Sequence, residues 1–253
     1  MKVALVQARM GSTRLPGKVL MDVHGKTLVG NLVDRIKTAQ HLDELIIVTT
    51  NNPEDDALEQ WCNNNDVKCY RGSDWDVLDR FYQAANSLPE KPEHVIRICC
   101  DNPLHSHKVV DFVVAAYLEA GTDYFSNSNH EPDFLEDGFD VEVFTYASLE
   151  TAWKEAKLLS QREHVTPYIK DSGKFTCSWK KANKDYTYKL SVDTEADLSA
   201  VTQIFEELDE VDDFGIDEVV GLLQKKPEIL DLNKESIINS GYQKSLDNDK
   251  IIE

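Results

Sequence analysis

Short apolar runs alternate with amphipathic segments through the first 103 residues of this 253-residue chain. Between the runs lie segments with apolar residues at helical spacing, which begin near Lys26, Glu54 and Val77. The runs themselves have the length and the Val, Ile and Leu content of buried strands, and they are "KVALVQA", "DELIIVTT", "VKCYRG" and "EHVIRICCDNP". This order of elements predicts βαβ units, and therefore an α/β fold with a mostly parallel central sheet flanked by helices.

Capping residues indicate where two of the helices begin. Ser73 or Asp74 is expected to cap the helix that contains Val77, because short polar side chains accept hydrogen bonds from free backbone N–H groups. Thr194 is expected to cap a later helix, and Asp197 three residues on completes a capping-box pattern.

The second half of the chain has a less regular pattern. Strands are expected at "DYFSNSN" and "FDVEVFTY", a helix at "ASLETAWKEAKLLSQ", and two strands around a polar turn in residues 174–194. From residue 228 onward the chain is rich in Asn and Lys with scattered Ile. We therefore expect a single domain over residues 1–227 and a weakly packed polar C-terminal tail over residues 228–253.

Charge limits the partners that this chain can bind. It has 27 Lys and Arg against 46 Asp and Glu, a formal net charge of −19, which repels nucleic acid and anionic membranes. The first 21 residues are the opposite, with Lys2, Arg9, Arg14 and Lys18 and no acidic residue before Asp22. A local cationic stretch in an acidic protein indicates a small anionic ligand, although chance in a short window would give the same pattern.

Cysteine usage and hydropathy indicate a cytoplasmic protein with no membrane partner. The five cysteines lack paired C-x-x-C spacing, which favours reduced thiols over a disulfide framework. No apolar run approaches the ~20 residues that span a bilayer, and the N-terminus does not have the pattern of a secretory signal.

Two other kinds of site are not indicated by the sequence. Cys99, Cys100, His105 and His107 are close together along the chain, but their spacing matches no zinc pattern. The Ser, His and Asp residues are not accompanied by a G-x-S-x-G elbow, so nothing points to a hydrolase triad.

A loop rich in Gly and cations, "ARMGSTRLPGK" (residues 8–18), follows the first predicted strand. It differs from the familiar phosphate loop, G-x-x-x-x-G-K-[ST], because five residues separate Gly11 from Gly17 and because Val19 follows Lys18. Its glycines still allow backbone N–H groups to converge on an anion, and its Lys and Arg supply positive charge. This loop and Asp101 both follow predicted strands, so we expect them on the same ligand-binding rim of the sheet.

The stretch "ARMGSTRLPGKVL" resembles the nucleotide loop of the sugar-activating cytidylyltransferases, in particular the spore coat polysaccharide biosynthesis type, which is related to CMP-3-deoxy-octulosonate synthetases. Further stretches resemble that family in the same order within residues 3–198: "RGSDWDVLDRFYQAA", "VIRICCDNPL", "GFDVEVF", "REHVTPYI" and "LSVDTEADL". The resemblance implies a Rossmann-like nucleotide-diphospho-sugar transferase fold. It also implies transfer of CMP from CTP to an acidic sugar or phosphorylated sugar-like acceptor, with release of pyrophosphate, in surface glycan biosynthesis.

The resemblance further implies which residues bind the nucleotide. Arg9 and Lys18 match the family's triphosphate contacts and are the expected catalytic residues, with Lys18 at the α-phosphate. Arg14 matches the loop motif as well, but a surface or packing role would be equally compatible. Asp79 and Arg80 match a helix pair of the family and would otherwise be ordinary solvated charges. Arg71 and Ser73 match positions that contact the base in that family. The complete expected nucleotide-binding set is Ala8, Arg9, Met10, Gly11, Ser12, Lys18, Arg71, Ser73 and Arg80.

The same resemblance implies a metal site and an acceptor site. Asp101 and Asp193 are the expected magnesium (Mg2+) ligands, and the alternative is a pair of solvated acids at strand ends. Asp140 and Glu142 alternate along one predicted strand and share a face, which would also fit the exposed side of an edge strand. A lone His such as His164 is often structural. The expected acceptor-binding residues are Asn102, Asp140, Glu142, Arg162 and His164.

The expected partners are CTP and a small anionic acceptor, and the resemblance implies a homodimer formed through residues 124–190. Two alternatives remain open from sequence: a nucleotidyltransferase for another nucleoside triphosphate, and a non-catalytic nucleotide-binding regulatory module. The presence of Arg9, Lys18, Asp101 and Asp193 counts against the second alternative. The sequence does not separate a CMP-linked from a CDP-linked product.

Overall fold

A seven-stranded sheet organises the described part of the chain, which comprises residues 1–129, 134–238 and 240–252 of a computed structural model. In chain order, the strands are β1 Lys2–Gln7, β2 Asp22–Val23, β3 Lys26–Thr27, β4 Glu44–Thr50, β5 Lys68–Gly72, β6 His94–Cys99, β7 Tyr124–Ser126, β8 Glu142–Thr145 and β9 Cys177–Trp179. The helices are α1 Leu28–Ile36, α2 Asp56–Asn64, α3 Val77–Asn86, α4 His107–Ala120, α5 Tyr146–Glu155, α6 Leu159–His164, α7 Pro167–Asp171, α8 Glu195–Glu207, α9 Ile216–Lys225 and α10 Ser240–Asp247.

The strand order within the described residues is β5-β4-β1-β6-β8-β7-β9. Strands β5, β4, β1 and β6 pair in parallel, while β8 runs antiparallel to both β6 and β7, and β9 is parallel to β7. Parallel neighbours require crossovers, and α1, α2 and α3 provide them between β1 and β6. The predicted α/β fold with a mostly parallel central sheet flanked by helices is therefore confirmed.

Side chains of the parallel strands point alternately into two apolar layers. In β1, Ala4 and Val6 pack into one layer, while Val3 and Leu5 pack into the other, and all four are fully buried. Helices α1, α4, α8 and α9 cover the first layer, and α3 and α5 cover the second. Both faces of the sheet are thus protected from water, which is why β1 and β4 are continuous apolar runs and not alternating ones.

The second half differs from the sequence-based expectations in three places. The expected elements leave out α4, although its buried Val and Tyr residues lie at helical spacing. The single helix expected over residues 147–161 is two helices, because the chain turns at Ala156, which has extended backbone angles (φ −65°, ψ 124°). The expectation of two strands in residues 174–194 is wrong: β9 forms, but the backbone N–H groups of Leu190 and Ser191 bind the carboxylate of Asp137 at 2.9 and 2.7 Å.

The C-terminal segment also differs from the expected weakly packed tail. It contains a 3-10 segment, Pro227–Leu232, and α10, and the side chains of Ile229 and Asn233 are buried. The amide of Asn233 donates to the carboxylate of Asp197 at 3.1 Å, so this segment is tied to the core by a polar contact. None of the helices in the described ranges combines the length and apolar character that a membrane crossing requires.

The cap of α3 lies two or three residues later than expected. The carboxylate of Asp76, not Ser73 or Asp74, accepts from the backbone N–H of Asp79 at 2.9 Å. The hydroxyl of Ser73 instead accepts from the backbone N–H of Asp76 at 3.1 Å. Asp76 also accepts from the Nε of Arg162 at 3.0 and 2.9 Å, in a pair buried between α3 and α6. The expected cap of α8 is confirmed, since Thr194 and Asp197 form the capping box.

We expect the Asp76→Ala substitution to lower the unfolding free energy by about 3–5 kcal/mol, because it leaves the buried guanidinium of Arg162 without its carboxylate. Urea denaturation followed by circular dichroism measures this loss. The matched control is Lys154→Ala, which breaks an exposed pair of 3.1 Å with Glu150 and should cost less than about 1 kcal/mol. Equal losses in the two variants would contradict a structural role for the buried pair.

Candidate functional site

Two adjoining cavities open at the carboxyl ends of β1 and β6. The loop cavity, of about 710 Å³, is lined by the cationic loop, and the side cavity, of about 230 Å³, lies next to it. Arg14, Asp101 and Asp193 line both cavities, so they lie where the two meet. A groove of about 970 Å³ beside α1 and α2 contains none of the expected site residues. The chemistry of the lining residues, and not volume, therefore locates the site.

A buried carboxylate sets the path of the cationic loop. Asp55, fully buried at the start of α2, accepts from the backbone N–H of Met10 at 2.6 Å and from the hydroxyl of Thr50. The carbonyl of Met10 in turn accepts from the backbone N–H groups of Ser12 and Gly17, both at 2.9 Å. Gly17 has φ of +74°, a left-handed conformation that glycine adopts without steric cost. The sequence did not single out Asp55, because nothing near it in sequence indicates a contact 45 residues away.

Three of the residues expected in the loop, Ala8, Arg9 and Ser12, line the loop cavity. Ala8 is buried, and its backbone N–H donates to the carbonyl of Val48 at 3.2 Å. Gly11 lies against the turn that precedes α2, where a Cβ atom would overlap the carboxylate of Glu54. Ser12 lines the loop cavity, together with Arg9. The structure thus brings the cations of the loop to one edge of the sheet, as an anion site requires, whereas the backbone N–H groups of Ala8, Met10 and Ser12 already donate to protein acceptors.

The ammonium of Lys18 lies between the two expected metal ligands. Its Nζ is 3.0 Å from Oδ2 of Asp101 and 3.1 Å from Oδ1 of Asp193, and it donates to the carbonyl of Val192 at 2.6 Å. Burial by itself lowers the pKa of Lys18, but attraction from the two carboxylates outweighs burial and raises it. Burial likewise raises the pKa of Asp101, and Lys18 reverses this so that the net shift is downward. The ammonium of Lys18 and the carboxylate of Asp101 thus stay charged near neutral pH.

The carboxylates of Asp101 and Asp193 both direct an oxygen atom at the ammonium of Lys18. Two carboxylates that face one positive charge also fit a divalent metal ion. Magnesium takes hard oxygen ligands and usually needs only one or two protein carboxylates. The described residues contain no group of three or more His, Cys, Asp and Glu that could hold a metal, and the magnesium site expected at these two acids stays a prediction. Asp193 also forms ion pairs with Arg14 at 2.8 Å and with Lys189 at 3.3 Å. Lys189 was not anticipated from sequence.

Two of the expected base-binding residues contact other groups in this structure. Arg71 forms ion pairs with Asp56 at 2.6 Å and Glu59 at 2.8 Å, and it donates to two carbonyls of the turn after β4. Ser73 is involved in the turn before α3, as described above. Neither residue lines the two cavities in the described part of the chain. Their proposed base contacts therefore stay predictions.

Arg80 has a fully buried guanidinium with no hydrogen-bond partner among the described residues. Burial lowers the pKa of Arg80 to about 10, and repulsion from Arg9 adds to the shift. It is therefore not a solvated charge, and its neighbour Asp79 is not either, because Asp79 accepts from the indole N–H of Trp153 at 2.8 Å. Arg9 itself forms an exposed ion pair of 3.0 Å with Asp74. Buried donors that lack partners are rare in folded proteins. The guanidinium of Arg80 is such a case, because none of its nitrogen atoms has a partner among the described residues.

The side cavity contains the two acids expected on one strand face, and they differ in their contacts. Glu142 accepts from the hydroxyls of Tyr124 and Thr166, each at 2.6 Å, and pairs with Arg97. Burial raises its pKa, but the neighbouring cations outweigh burial, so the pKa of Glu142 is lowered. Asp140 accepts from the amide of Asn102 at 3.0 Å. Burial, followed by repulsion from neighbouring carboxylates, raises the pKa of Asp140 to about 7.

The structure separates the last two expected acceptor residues. Arg162 does not line the side cavity, because its guanidinium is bound to Asp76 and to the carbonyl of Trp153. Arg162 therefore has a structural contact here, and the acceptor contact expected of it stays a prediction. His164 does line the side cavity, and its Nε2 lies 2.9 Å from the hydroxyl of Ser245 in α10. Burial lowers the pKa of His164 to about 4, and the charge of Arg97 contributes.

Known proteins resemble this chain over nearly its whole length. A family model described as cytidylyltransferase matches residues 3–237. The chain is 35% identical to the uncharacterized protein MJ1063 of Methanocaldococcus jannaschii, over 91% of this chain and 93% of the relative. It is 29% identical to the spore coat polysaccharide biosynthesis protein SpsF of Bacillus subtilis, over 88% of this chain and 94% of that protein.

Solved structures share the fold. A cytidylyltransferase from Leptospira borgpetersenii, 28% identical, matches with a TM-score of 0.82 over 90% of this chain and 95% of that one. CMP:2-keto-3-deoxy-manno-octonic acid synthetase, solved as a complex with CTP, matches with a TM-score of 0.60 at 17% identity, over 81% of this chain and 98% of that one. The second likeness extends to the fold alone.

We expect His164 to make folding pH-dependent. Its pKa is lowered to about 4 in the folded protein and is near 6.5 in the unfolded chain, so below about pH 6.5 the unfolded state binds more protons. Stability is therefore lost as the pH falls from about 6.5 to about 4, by up to about 3 kcal/mol. Urea denaturation of the wild type and of His164→Gln at several pH values isolates this contribution, because the variant lacks it. Parallel stability curves for the two proteins would contradict the low pKa.

Proposed function

Because this chain belongs to the cytidylyltransferase family, as its loop motif predicts, we propose that it transfers CMP from CTP to an acidic sugar or phosphorylated sugar-like acceptor and releases pyrophosphate. The observation that carries this proposal is the junction of two cavities at Lys18, Asp101 and Asp193. A transferase needs its donor and its acceptor on either side of one reacting phosphorus atom, and this junction offers such a place. We propose that the product serves surface glycan biosynthesis, as the similarity to SpsF suggests.

The loop cavity is the proposed nucleotide site. Its volume of about 710 Å³ is within the range of sites for small molecules and cofactors. Arg9, Arg14 and Lys18 line it and supply three cations for a triphosphate in a protein that is otherwise strongly acidic. The choice of CTP is supported by the family to which the chain belongs.

The proposed cofactor is magnesium, which Asp101 and Asp193 would hold and which would neutralise phosphate charge when bound. Lys18 acts beside it. Its ammonium is held at 3.0 and 3.1 Å from the two carboxylates, and we propose that it binds the α-phosphate once the nucleotide is present. An ammonium fixed in a partly buried site stabilises the negative charge that develops as the acceptor oxygen attacks and the bond to pyrophosphate breaks.

The side cavity is the proposed acceptor site. Asp140 and Glu142 line it, and carboxylates accept hydrogen bonds from the hydroxyl groups of sugars. Arg97 and Lys170 also line it and offer positive charge to a carboxylate or phosphate of the acceptor. An attacking hydroxyl would give a CMP-linked product, and an attacking phosphate would give a CDP-linked one.

Several expectations from the sequence are part of the same proposal. Use of another nucleoside triphosphate is the alternative within the same chemistry, and a non-catalytic nucleotide-binding role is the alternative outside it. A homodimer formed through residues 124–190 remains a prediction, and residues 130–133 of that stretch lie outside the described part of the chain. A cytoplasmic location is consistent with five free cysteines.

We expect Asp101→Asn and Asp193→Asn each to reduce turnover by at least about 100-fold, because each removes a carboxylate from the proposed metal site. Lys18→Ala should reduce kcat by about 100- to 1,000-fold, since it removes charge stabilisation in the transition state. The assay is pyrophosphate release with magnesium and CTP, using a panel of 3-deoxy-2-keto acid sugars, sugar phosphates, polyol phosphates and phosphonates as acceptors.

The control is Asp212→Asn, an exposed acid outside both cavities, which should retain wild-type turnover. Turnover that persists in Asp101→Asn or Asp193→Asn would contradict the metal assignment.

Competition among CTP, UTP, GTP and dTTP tests which base the site selects. Equal rates with all four would favour the alternative of relaxed nucleotide use. Calorimetry that detects no CTP binding to the wild type would overturn the proposal that the cationic loop forms a nucleotide site.

A further inference from the structure

Helix α10 lies against both cavities, although the segment that forms it follows the region matched by the family model. That match ends at residue 237, and α10 spans Ser240–Asp247. Gly241 lines both cavities, Tyr242 lines the side cavity, and Lys244 and Ser245 line the loop cavity. One short helix thus contributes to the walls of both proposed substrate sites.

The chain after α10 is bound to the core, so the position of the helix is fixed at its C-terminal end. The carboxylate of Asp249 accepts from the backbone N–H of Ser160 at 3.0 Å and from its hydroxyl at 2.7 Å. The backbone N–H of Leu159 donates to the carbonyl of Lys250 at 2.9 Å. The backbone N–H of Ile252 donates to the carbonyl of Lys157 at 2.8 Å. These contacts hold the segment against the start of α6.

Helix α10 also fixes the ring of His164 in the side cavity. The ring of Tyr242 packs edge-on against it, with centroids 4.9 Å apart and an interplanar angle of 89°. The hydroxyl of Ser245 has a single proton, and it lies 2.7 Å from the carboxylate of Glu163 and 3.1 Å from the carbonyl of Gly241, two acceptors that cannot donate in return. It therefore accepts from Nε2–H of His164, 2.9 Å away, which sets the neutral tautomer with a lone pair on Nδ1. The orientation and the tautomer of His164 thus both depend on α10.

We propose that α10 is a substrate-selecting wall of this site, in which Tyr242 limits the size of the acceptor and Lys244 adds a cation for the phosphates of the nucleotide. This inference rests on the proposed function. The side cavity, at about 230 Å³, is smaller than the roughly 300–1,000 Å³ of most small-molecule sites, and Tyr242 forms part of its boundary. Lys244 lines the same cavity as Arg9 and Lys18, where a triphosphate would bring negative charge.

Amide hydrogen exchange tests the inference without turnover. Binding of CTP and magnesium to the full-length wild type, confirmed by calorimetry, should slow exchange in residues 241–249 by about tenfold or more. This is expected because a ligand in the loop cavity contacts the helix and stabilises its docked position. CTP binding without any slowing in this segment would overturn the inference and leave the proposed function intact. A wild type that does not bind CTP would overturn both.

Substitutions in α10 should separate its two contributions. Lys244→Ala should raise the Kd for CTP about fivefold, and Lys244→Arg should restore most of the affinity because it keeps the charge. Tyr242→Ala should leave the Kd for CTP within about twofold of wild type and raise the KM for the best acceptor of the panel about tenfold. The same variant should gain activity toward bulkier acceptors relative to smaller ones, while Tyr242→Phe should keep the wild-type preference.

The matched control is Leu246→Ala, an exposed residue of the same helix that lines neither cavity. It should change neither the Kd for CTP nor the acceptor preference, whereas a general loosening of α10 would affect all the variants alike. Hydrogen exchange of free Tyr242→Ala establishes whether its helix still docks. A docked Tyr242→Ala with unchanged acceptor preference, or a Lys244→Ala with unchanged CTP affinity, would overturn the corresponding role.

Discussion

The site depends on one buried ammonium that joins three distant parts of the chain. Lys18 comes from the loop after β1, and its carboxylate partners Asp101 and Asp193 are 83 and 175 residues away. Two nearby carboxylates in a half-buried position repel each other, and the ammonium of Lys18 between them offsets this repulsion. The proposed reaction exploits the same arrangement, because a metal ion at the carboxylates would allow Lys18 to turn to the phosphate.

Buried acids also fix the surroundings of the site, which gives the strongly acidic composition a structural use. Asp55 holds the cationic loop, Asp76 caps α3 and binds Arg162, and Asp137 holds the backbone that leads to Asp193. Each carboxylate accepts several hydrogen bonds from groups that would otherwise be unsatisfied, and charge-assisted bonds of this kind are stronger than neutral ones. The loops therefore have defined positions although they lack regular secondary structure.

Environment, and not sequence spacing, distinguishes the two acids of the side cavity. Asp140 and Glu142 are two residues apart and line the same cavity, yet the pKa of Asp140 is raised to about 7 and that of Glu142 is lowered. Burial raises both, but attraction from Arg97 and Lys170 outweighs burial at Glu142, whereas at Asp140 repulsion from Asp137 and Asp101 adds to burial and exceeds the effect of Arg97. The charges around each acid thus give the two carboxylates opposite pKa shifts.

The sequence by itself determined the order of strands and helices around β1, the cationic loop, the family and the presence of two acids at strand ends. These features are local, since apolar spacing, glycines and charges are visible within short windows. Only the tertiary structure decided that Asp55 anchors the loop, that Arg162 binds Asp76, and that α10 packs against His164. Each of these contacts joins residues at least 45 positions apart, and side chains so distant in sequence meet only where packing of the core brings their backbones together.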